Sequence, residues 1–468
     1  MVMCQLLFIF TRPVWIYRLC LYRWDRNMSD DTSLVELLQD TNFKSLLAIE
    51  VRRCLTWDEF LSMPQPMNMS PLTTWNLLMQ VGRCVGLELK PNDFDGTEFW
   101  YRRTYELDNL ASTISCACRA GSHLHKTVTG AEGHHYLIKT RIAETLAAAA
   151  LDGLVIPQEH AEALLKMDRA PQNATERLLA NKFLANEQLT NLTGEPFSAE
   201  LFRHLRDILI ADVDMSQIEL GPVAHGLLVG TTDYADERCQ EHAESQMSVM
   251  ADVLNLKDTD PDDLAALKGN LIADAFARYR PLGLVSSQVG RLCARLFAIK
   301  QGLPVLALLP VSRAELDWEQ GTIAPPDVAF DKSNFEILRR RNAGDLTPYQ
   351  TVATQLTLLT LRNLEDRIAT WERRDAEMRE VLRHEPLLNQ RQRAILARAL
   401  RAPEAEFQIR YHKTNHNIAY TTARRDLLEL YKKNYLTMEQ RGKAFVFLSG
   451  PRLDELQAAR RTRKRQEH

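Results

Sequence analysis

The chain has 468 residues, 45% hydrophobic and 25% charged, which predicts roughly two to four folded units with sizeable cores and excludes a mostly disordered chain or a collagen-like fibre. With 19 Gly and 19 Pro, long helices are easier to build than a loop-rich β-sandwich, so the fold is expected to be mainly α. The net charge of −3 hides a division: residues 388–468 carry 18 basic and 8 acidic residues, leaving 40 basic and 53 acidic for the rest, so a polyanionic partner is expected at the C-terminal end.

Residues 1–27 read as a spurious extension or a disordered leader. The apolar run Leu6–Phe10 is too short to span a bilayer, and Arg12, Arg18, Arg23 and Arg26 follow it rather than precede it as in a secretory signal. Translation is expected to start at Met28; a weak interfacial anchor is the alternative. The eight cysteines include no CxxC pair, and Cys116-Ala-Cys118 beside His123, His125, His134 and His135 matches no zinc spacing, so no metal site is expected. A reducing cytoplasm and no membrane partner are the corresponding expectations.

Residues 28–140 read as an N-terminal helical region. Pro64-Gln-Pro66 through Ser70-Pro71 marks a linker, and Ser70 or Thr73 is placed to cap the helix carrying Trp75, Leu78 and Val81. The aromatics of Phe99–Tyr105 recur at near-helical spacing and are expected in a core. A second block, 141–383, opens on the alanine-rich helix Ile142–Leu151, which Asp152-Gly153 stops. Ser198 opens a helix with Leu201, Leu205 and Leu209 on one face, Ile218–Asp233 reads as a hairpin flap, and Asp262 is placed to cap the helix reaching Phe276. A helix from near Ser287 to Gly302 and a long one from Thr347 to Leu382 complete the block, on either side of the irregular Gly321–Asp331.

From Leu388 the chain changes character. Leu388–Leu396 begins one helix, Glu404–Lys413 a second, and Thr421–Tyr431 a third with Ala423, Leu427 and Leu430 on one face. Tyr435–Met438 and Ala444–Phe447 then flank a basic tip, so 388–450 is expected to be a winged helix-turn-helix, with a basic tail at 451–468. DNA is the expected partner, because a helix with a basic N-terminal turn fits the major groove and a basic wing reaches phosphates. The candidate DNA contacts are Thr421, Thr422, Arg424, Arg425, Lys432, Arg441 and Lys443.

In Asn389-Gln-Arg-Gln392 and Thr422–Leu427 this unit resembles the winged-helix segment that closes many bacterial Fic (Fido) proteins. The Fic signature, of the form HPFxDGNGRxGR, corresponds to Arg280–Arg291, with the register set by Pro281, Gly290 and Arg291. Trp100–Glu106, Gly302-Leu-Pro304, Ser312 and Gly344–Thr347 add weaker similarity, and the resemblance covers most of Met28–Leu448. It implies a Fic-type helical core with a small β-hairpin flap, related to protein adenylyltransferases, with ATP and Mg²⁺ as cofactors and an unidentified protein target. The nucleotide-binding candidates are Ser286, Ser287, Gln288, Gly290 and Arg291.

The signature is degenerate. The family's catalytic histidine falls on Arg280, whose guanidinium stays protonated and cannot act as a general base. Its metal-binding acid falls on Leu284, which offers no oxygen to Mg²⁺. The family's inhibitory pattern (S/T)xxxE(G/N) corresponds to Ala148–Gly153, which makes Asp152 the candidate inhibitory carboxylate facing Arg291; a plain helix stop is the other reading of Asp152. The expectation is a catalytically inactive or altered Fic protein with a DNA-binding or regulatory module. The alternatives are a transferase drawing its base from elsewhere, His225 on the flap being one candidate, and a chain whose two domains only bind proteins.

Overall fold

The computed structural model describes residues 39–67, 69–89, 98–130, 133–154, 156–165, 169–218, 220, 241–255, 264–323, 344–381, 388–401, 405–441, 444–453 and 455. These are mainly helical. Residues 1–38, the flap beyond Leu220, Asp262 and the basic tail from 456 lie outside them.

Three helices open the described part of the chain: α1 (Thr41–Arg52), α2 (Trp57–Ser62) and α3 (Pro71–Val85). Each begins at a side-chain cap. Asp40 accepts from the Asn42 and Phe43 amides, Thr56 and Glu59 form a reciprocal capping box, and Ser70 accepts from the Thr73 amide ahead of Pro71. Their apolar faces meet around Trp75, whose ring stands edge-on to Trp57 and Phe60 at centroid distances of 5.3 and 5.0 Å.

The aromatic run that follows is core but is not helical throughout. Phe99–Tyr101 forms a strand (β2) paired antiparallel with β1 (Leu87–Leu89), and all three aromatics are buried. Its other edge is also engaged: the Trp100 amide donates to the Gly344 carbonyl at 3.1 Å and Leu346 donates back at 2.8 Å. Aromatic residues fit a strand whose two faces are both covered, and this pairing overrides the helical spacing. Tyr105 starts the next helix and is 70% exposed, so it is not in the core.

The N-terminal helices are tied to this strand by buried charge. Arg102 pairs with Glu50 of α1 and lies 3.7 Å from Asp345, while its amide donates to the Thr347 hydroxyl at 3.1 Å. Two carboxylates thus share one guanidinium. Burial pushes the Glu50 carboxyl up to about 7, with Arg102 opposing the shift and Asp345 adding to it.

The central bundle contains α4 (Tyr105–Cys118), α5 (His123–Thr129), α6 (Gly133–Leu151), α7 (Gln158–Leu165), α8 (Ala174–Gln188), α9 (Ala199–Ile210), α10 (Ala243–Asn255), α11 (Leu264–Tyr279), α12 (Ser286–Lys300), α13 (Val311–Glu319) and α14 (Thr347–Val381). Ser198 caps α9 from the expected position, and Leu201, Leu205 and Leu209 are buried beside Phe202. The α6 helix ends as its sequence predicts, with Gly153 in the left-handed region at φ +80°. The α11–α12 pair sits at the centre, with Phe276, Val289, Leu292, Cys293 and Leu296 in one continuous core.

The C-terminal unit has its own core, built from Leu396, Ala399, Phe407, Leu427, Leu430, Tyr435 and Phe447. Its order is α15 (Gln390–Arg401), β3 (Phe407–Gln408), α16 (Ile409–His416), α17 (Tyr420–Lys432), β4 (Leu436–Arg441) and β5 (Ala444–Ser449). The expected second helix therefore starts later than its sequence suggests, because Phe407 and Gln408 pair with Phe447 and Val446 and join a three-stranded antiparallel sheet ordered β3–β5–β4. The hairpin runs longer than expected, with Leu436 opposite Ser449 and Arg441 opposite Ala444. The unit meets the bundle through α14 against α15 and α16 against α6. Among the described residues no helix is long and apolar enough to cross a membrane, and no cluster of His, Cys, Asp and Glu is arranged to hold a metal ion.

Candidate functional site

Between α11 and α12 the chain makes a tight loop. Arg280 adopts a left-handed φ of +45° with its carbonyl accepting from the Gly283 amide at 3.0 Å, and Gly283 is itself at φ +65°. A left-handed arginine is uncommon and costs on the order of 1 kcal/mol, which the surrounding packing must offset. Ser286 holds the loop closed from within: its hydroxyl accepts from the Leu282 amide at 2.8 Å, and the residue is fully buried. Leu284, half-buried, presents no oxygen to the loop, so the position does not fit Mg²⁺.

The remaining candidates on α12 separate by helical face. Ser287, Arg291 and Arg295 recur every four residues and share one face, while Gln288 and Gly290 turn toward the interior. Gln288 is buried, and its Oε1 has no hydrogen-bond partner among the described residues. Gly290 lies against α11, where an added Cβ would stand 2.5 Å from the Phe276 Cβ, so the close helix contact by itself requires a glycine here.

The polar face of α12 meets a carboxylate of the same chain. Asp152 Oδ1 accepts from Ser287 Oγ at 2.6 Å and from Arg291 Nη1 at 2.8 Å, and Lys182 Nζ lies 3.8 Å from Oδ2. Burial works against ionising the Asp152 carboxyl, but Arg291 and Lys182 outweigh it and hold it below its usual range. Burial pulls the Lys182 ammonium down to about 8 despite Asp152, with Arg291 pulling the same way. Burial also disfavours the Arg291 charge, but the pairing with Asp152 more than offsets this.

A second layer continues along the same helices. Glu144, two turns before Asp152 on α6, accepts from the Ser312 amide at 2.9 Å and hydroxyl at 2.7 Å and pairs with Arg295 at 2.9 Å. Arg295 also donates to Asn186 Oδ1 at 2.7 Å. A cavity of about 100 Å³ adjoins this layer, lined by Glu144, Arg291, Arg295, Ser312 and Tyr349 among apolar neighbours. Glu144, Lys182, Asn186 and Arg295 were not singled out from the sequence. The signal for them was the four-residue spacing on α12, matched by Lys182 and Asn186 four apart on α8. His225 lies outside the described residues.

In the C-terminal unit, α17 turns Thr421, Arg424, Arg425 and Lys432 outward, with Thr422 half-buried and Tyr420 exposed at its first turn. Arg441 is exposed on β4, yet its guanidinium is engaged by Glu406 at 2.6 Å and Glu439 at 3.1 Å, which offsets its charge. Lys443 lies outside the described residues. On the inner face of α17, the buried Asp426 accepts from Asn389 Nδ2 at 2.8 Å and Arg391 Nε at 2.7 Å and lies 3.2 Å from His412 Nε2, joining all three helices of the unit. Burial lowers the His412 pKa despite the pull of Asp426. No protein-family model and no curated protein matches the chain.

Proposed function

We propose that the chain is a Fic-type protein that has kept the helical scaffold, lost nucleotide transfer, and acts through a DNA-binding winged helix at its C-terminal end. The observation that carries this reading is α17: thirteen residues with its apolar face in the core and Thr421, Arg424, Arg425 and Lys432 directed to solvent. Such a helix is about 20 Å long, enough to lie in a major groove. The order helix–strand–helix–helix–strand–strand and the β3–β5–β4 sheet support the winged-helix reading. Arg441 supports it less, because Glu406 and Glu439 already take up its charge.

The side chains present disfavour transfer. Arg280 supplies no general base, Leu284 supplies no metal ligand, and Asp152 occupies the donors that would receive a ligand phosphate. Ser287 and Arg291 retain the character of an anion site at a helix N-terminus, so the site fits a phosphate once Asp152 withdraws.

Fluorescence-anisotropy titration of a mixed-sequence DNA duplex across a salt series tests the reading. The full chain should bind with a negative salt slope, and Arg424→Ala with Arg425→Ala should weaken binding and reduce that slope by roughly 2. Binding and slope unchanged by the double substitution would overturn it.

A further inference from the structure

We propose that Lys182 supplies a second positive charge to the Arg291–Ser287 site that Asp152 now fills, and so makes that site selective for a phosphate-type dianion. The inference rests on reading Arg291 as part of a phosphate site; Lys182 itself lies outside the signature segment, on α8, and faces Asp152 across the helix packing.

Asp152 satisfies this receptor incompletely. Its Oδ1 takes both the Ser287 and Arg291 bonds, while Oδ2 has no hydrogen-bond partner among the described residues. Lys182 Nζ faces that oxygen at 3.8 Å, beyond hydrogen-bond range, and has no hydrogen-bond partner among the described residues either. The Lys182 and Asp152 side chains are 5% and 8% exposed, so water does little to compensate. An ammonium group buried this deeply is normally paired at close range, and here one carboxylate is divided between two cations.

The other charges nearby do not supply the missing anion. Glu144 faces the site from α6 but is engaged by Ser312 and Arg295, which themselves belong to α13 and α12. Glu315 adds negative potential at Arg291 from α13. A tetrahedral dianion offers what Asp152 lacks: two charges, and oxygens directed separately at Lys182, Arg291 and Ser287. The first turn of α12, a helix of fifteen residues, adds the favourable end of its dipole at Ser287. Asp152 is thus a small internal stand-in, and Lys182 is the residue that makes the receptor selective for a doubly charged group.

Asp152→Asn keeps the shape of the plug and removes its charge. Thermal melts and calorimetric titrations of the full chain with inorganic phosphate, against chloride at matched ionic strength, should show binding by Asp152→Asn and little by the native chain. Adding Lys182→Met should weaken that binding at least tenfold. Equal phosphate affinity in the single and double variants would overturn the role of Lys182 and leave the Arg291 site standing. No phosphate binding by Asp152→Asn would overturn the reading of the Arg291 site as well. Asp152→Gly serves the same comparison if Asp152→Asn fails to fold. ATP titrated in parallel distinguishes the source: tighter binding than inorganic phosphate assigns the receptor to a nucleotide's phosphate, and equal binding assigns it to free phosphate.

Discussion

A Cβ at position 290 would stand 2.5 Å from the Cβ of Phe276, so only glycine lets α11 and α12 approach as they do. The family resemblance makes Gly290 a nucleotide-binding candidate, and its close neighbour is a phenylalanine on the adjoining helix. Spacing in a sequence reveals that a glycine is needed without revealing whether a ligand or a backbone approaches it. Glu50 was invisible for a related reason: a glutamate in an amphipathic helix reads as solvent-facing, and its burial depends on Arg102 and Asp345, far away in the chain. Its chemistry gives a prediction. The folded Glu50 carboxyl, raised from 4.5 to about 7, holds a proton that the unfolded chain has already shed. Its contribution to stability is therefore fully present below about pH 4.5 and is lost as pH rises through about 7. Asp345, raised chiefly by burial, contributes with the same sign. Glu50→Gln should flatten the fall in denaturant midpoint between about pH 5 and pH 7; an unchanged slope would show that Glu50 does not titrate in this window.

At the scale of elements, helices were legible wherever local chemistry marked their ends. Ser70, Ser198 and Gly153 each perform the capping or stopping role their sequence context suggests. The strands at Phe99–Tyr101 and Phe407–Gln408 were not legible, because both are defined by partners that local spacing cannot see: Leu87–Leu89 and residues 344–346 for one, Val446 and Phe447 for the other. The C-terminal unit shows what its sequence pattern encodes. Asn389 and Arg391 close on Asp426 of α17, so the residues that carry the winged-helix resemblance lock the unit's interior while Arg424 and Arg425 beside Asp426 face outward. Asp426→Ala would leave the charge of Arg391 and the polar groups of Asn389 and His412 without their shared acceptor. It should destabilise this unit by about 3 kcal/mol, read as lost amide protection in α15–α17 with α11 and α12 unaffected. Unchanged protection in α15–α17 would show that the network does not hold the unit together.

For the whole molecule, the division of charge seen in the sequence has a structural counterpart: an independently cored basic unit mounted on an acidic helical bundle. The α6 helix touches both regions, since α16 packs against it and Asp152, just beyond its last turn, reaches Ser287 and Arg291. At the Arg291 site the sequence identified the arginine and its carboxylate partner but missed Lys182, Glu144 and Arg295, whose meeting depends on how α6, α8 and α12 pack. The proposed function has this chain no longer transferring nucleotides. Incubation of the full chain, and of Asp152→Gly, with Mg²⁺ and α-labelled ATP in cell lysate, followed by label incorporation into protein, is the decisive measurement. Neither protein should label any target above a heat-killed control, because relieving Asp152 restores neither a base at Arg280 nor an oxygen ligand at Leu284. Incorporation by either would make the altered site a working transferase and overturn the proposed loss of nucleotide transfer.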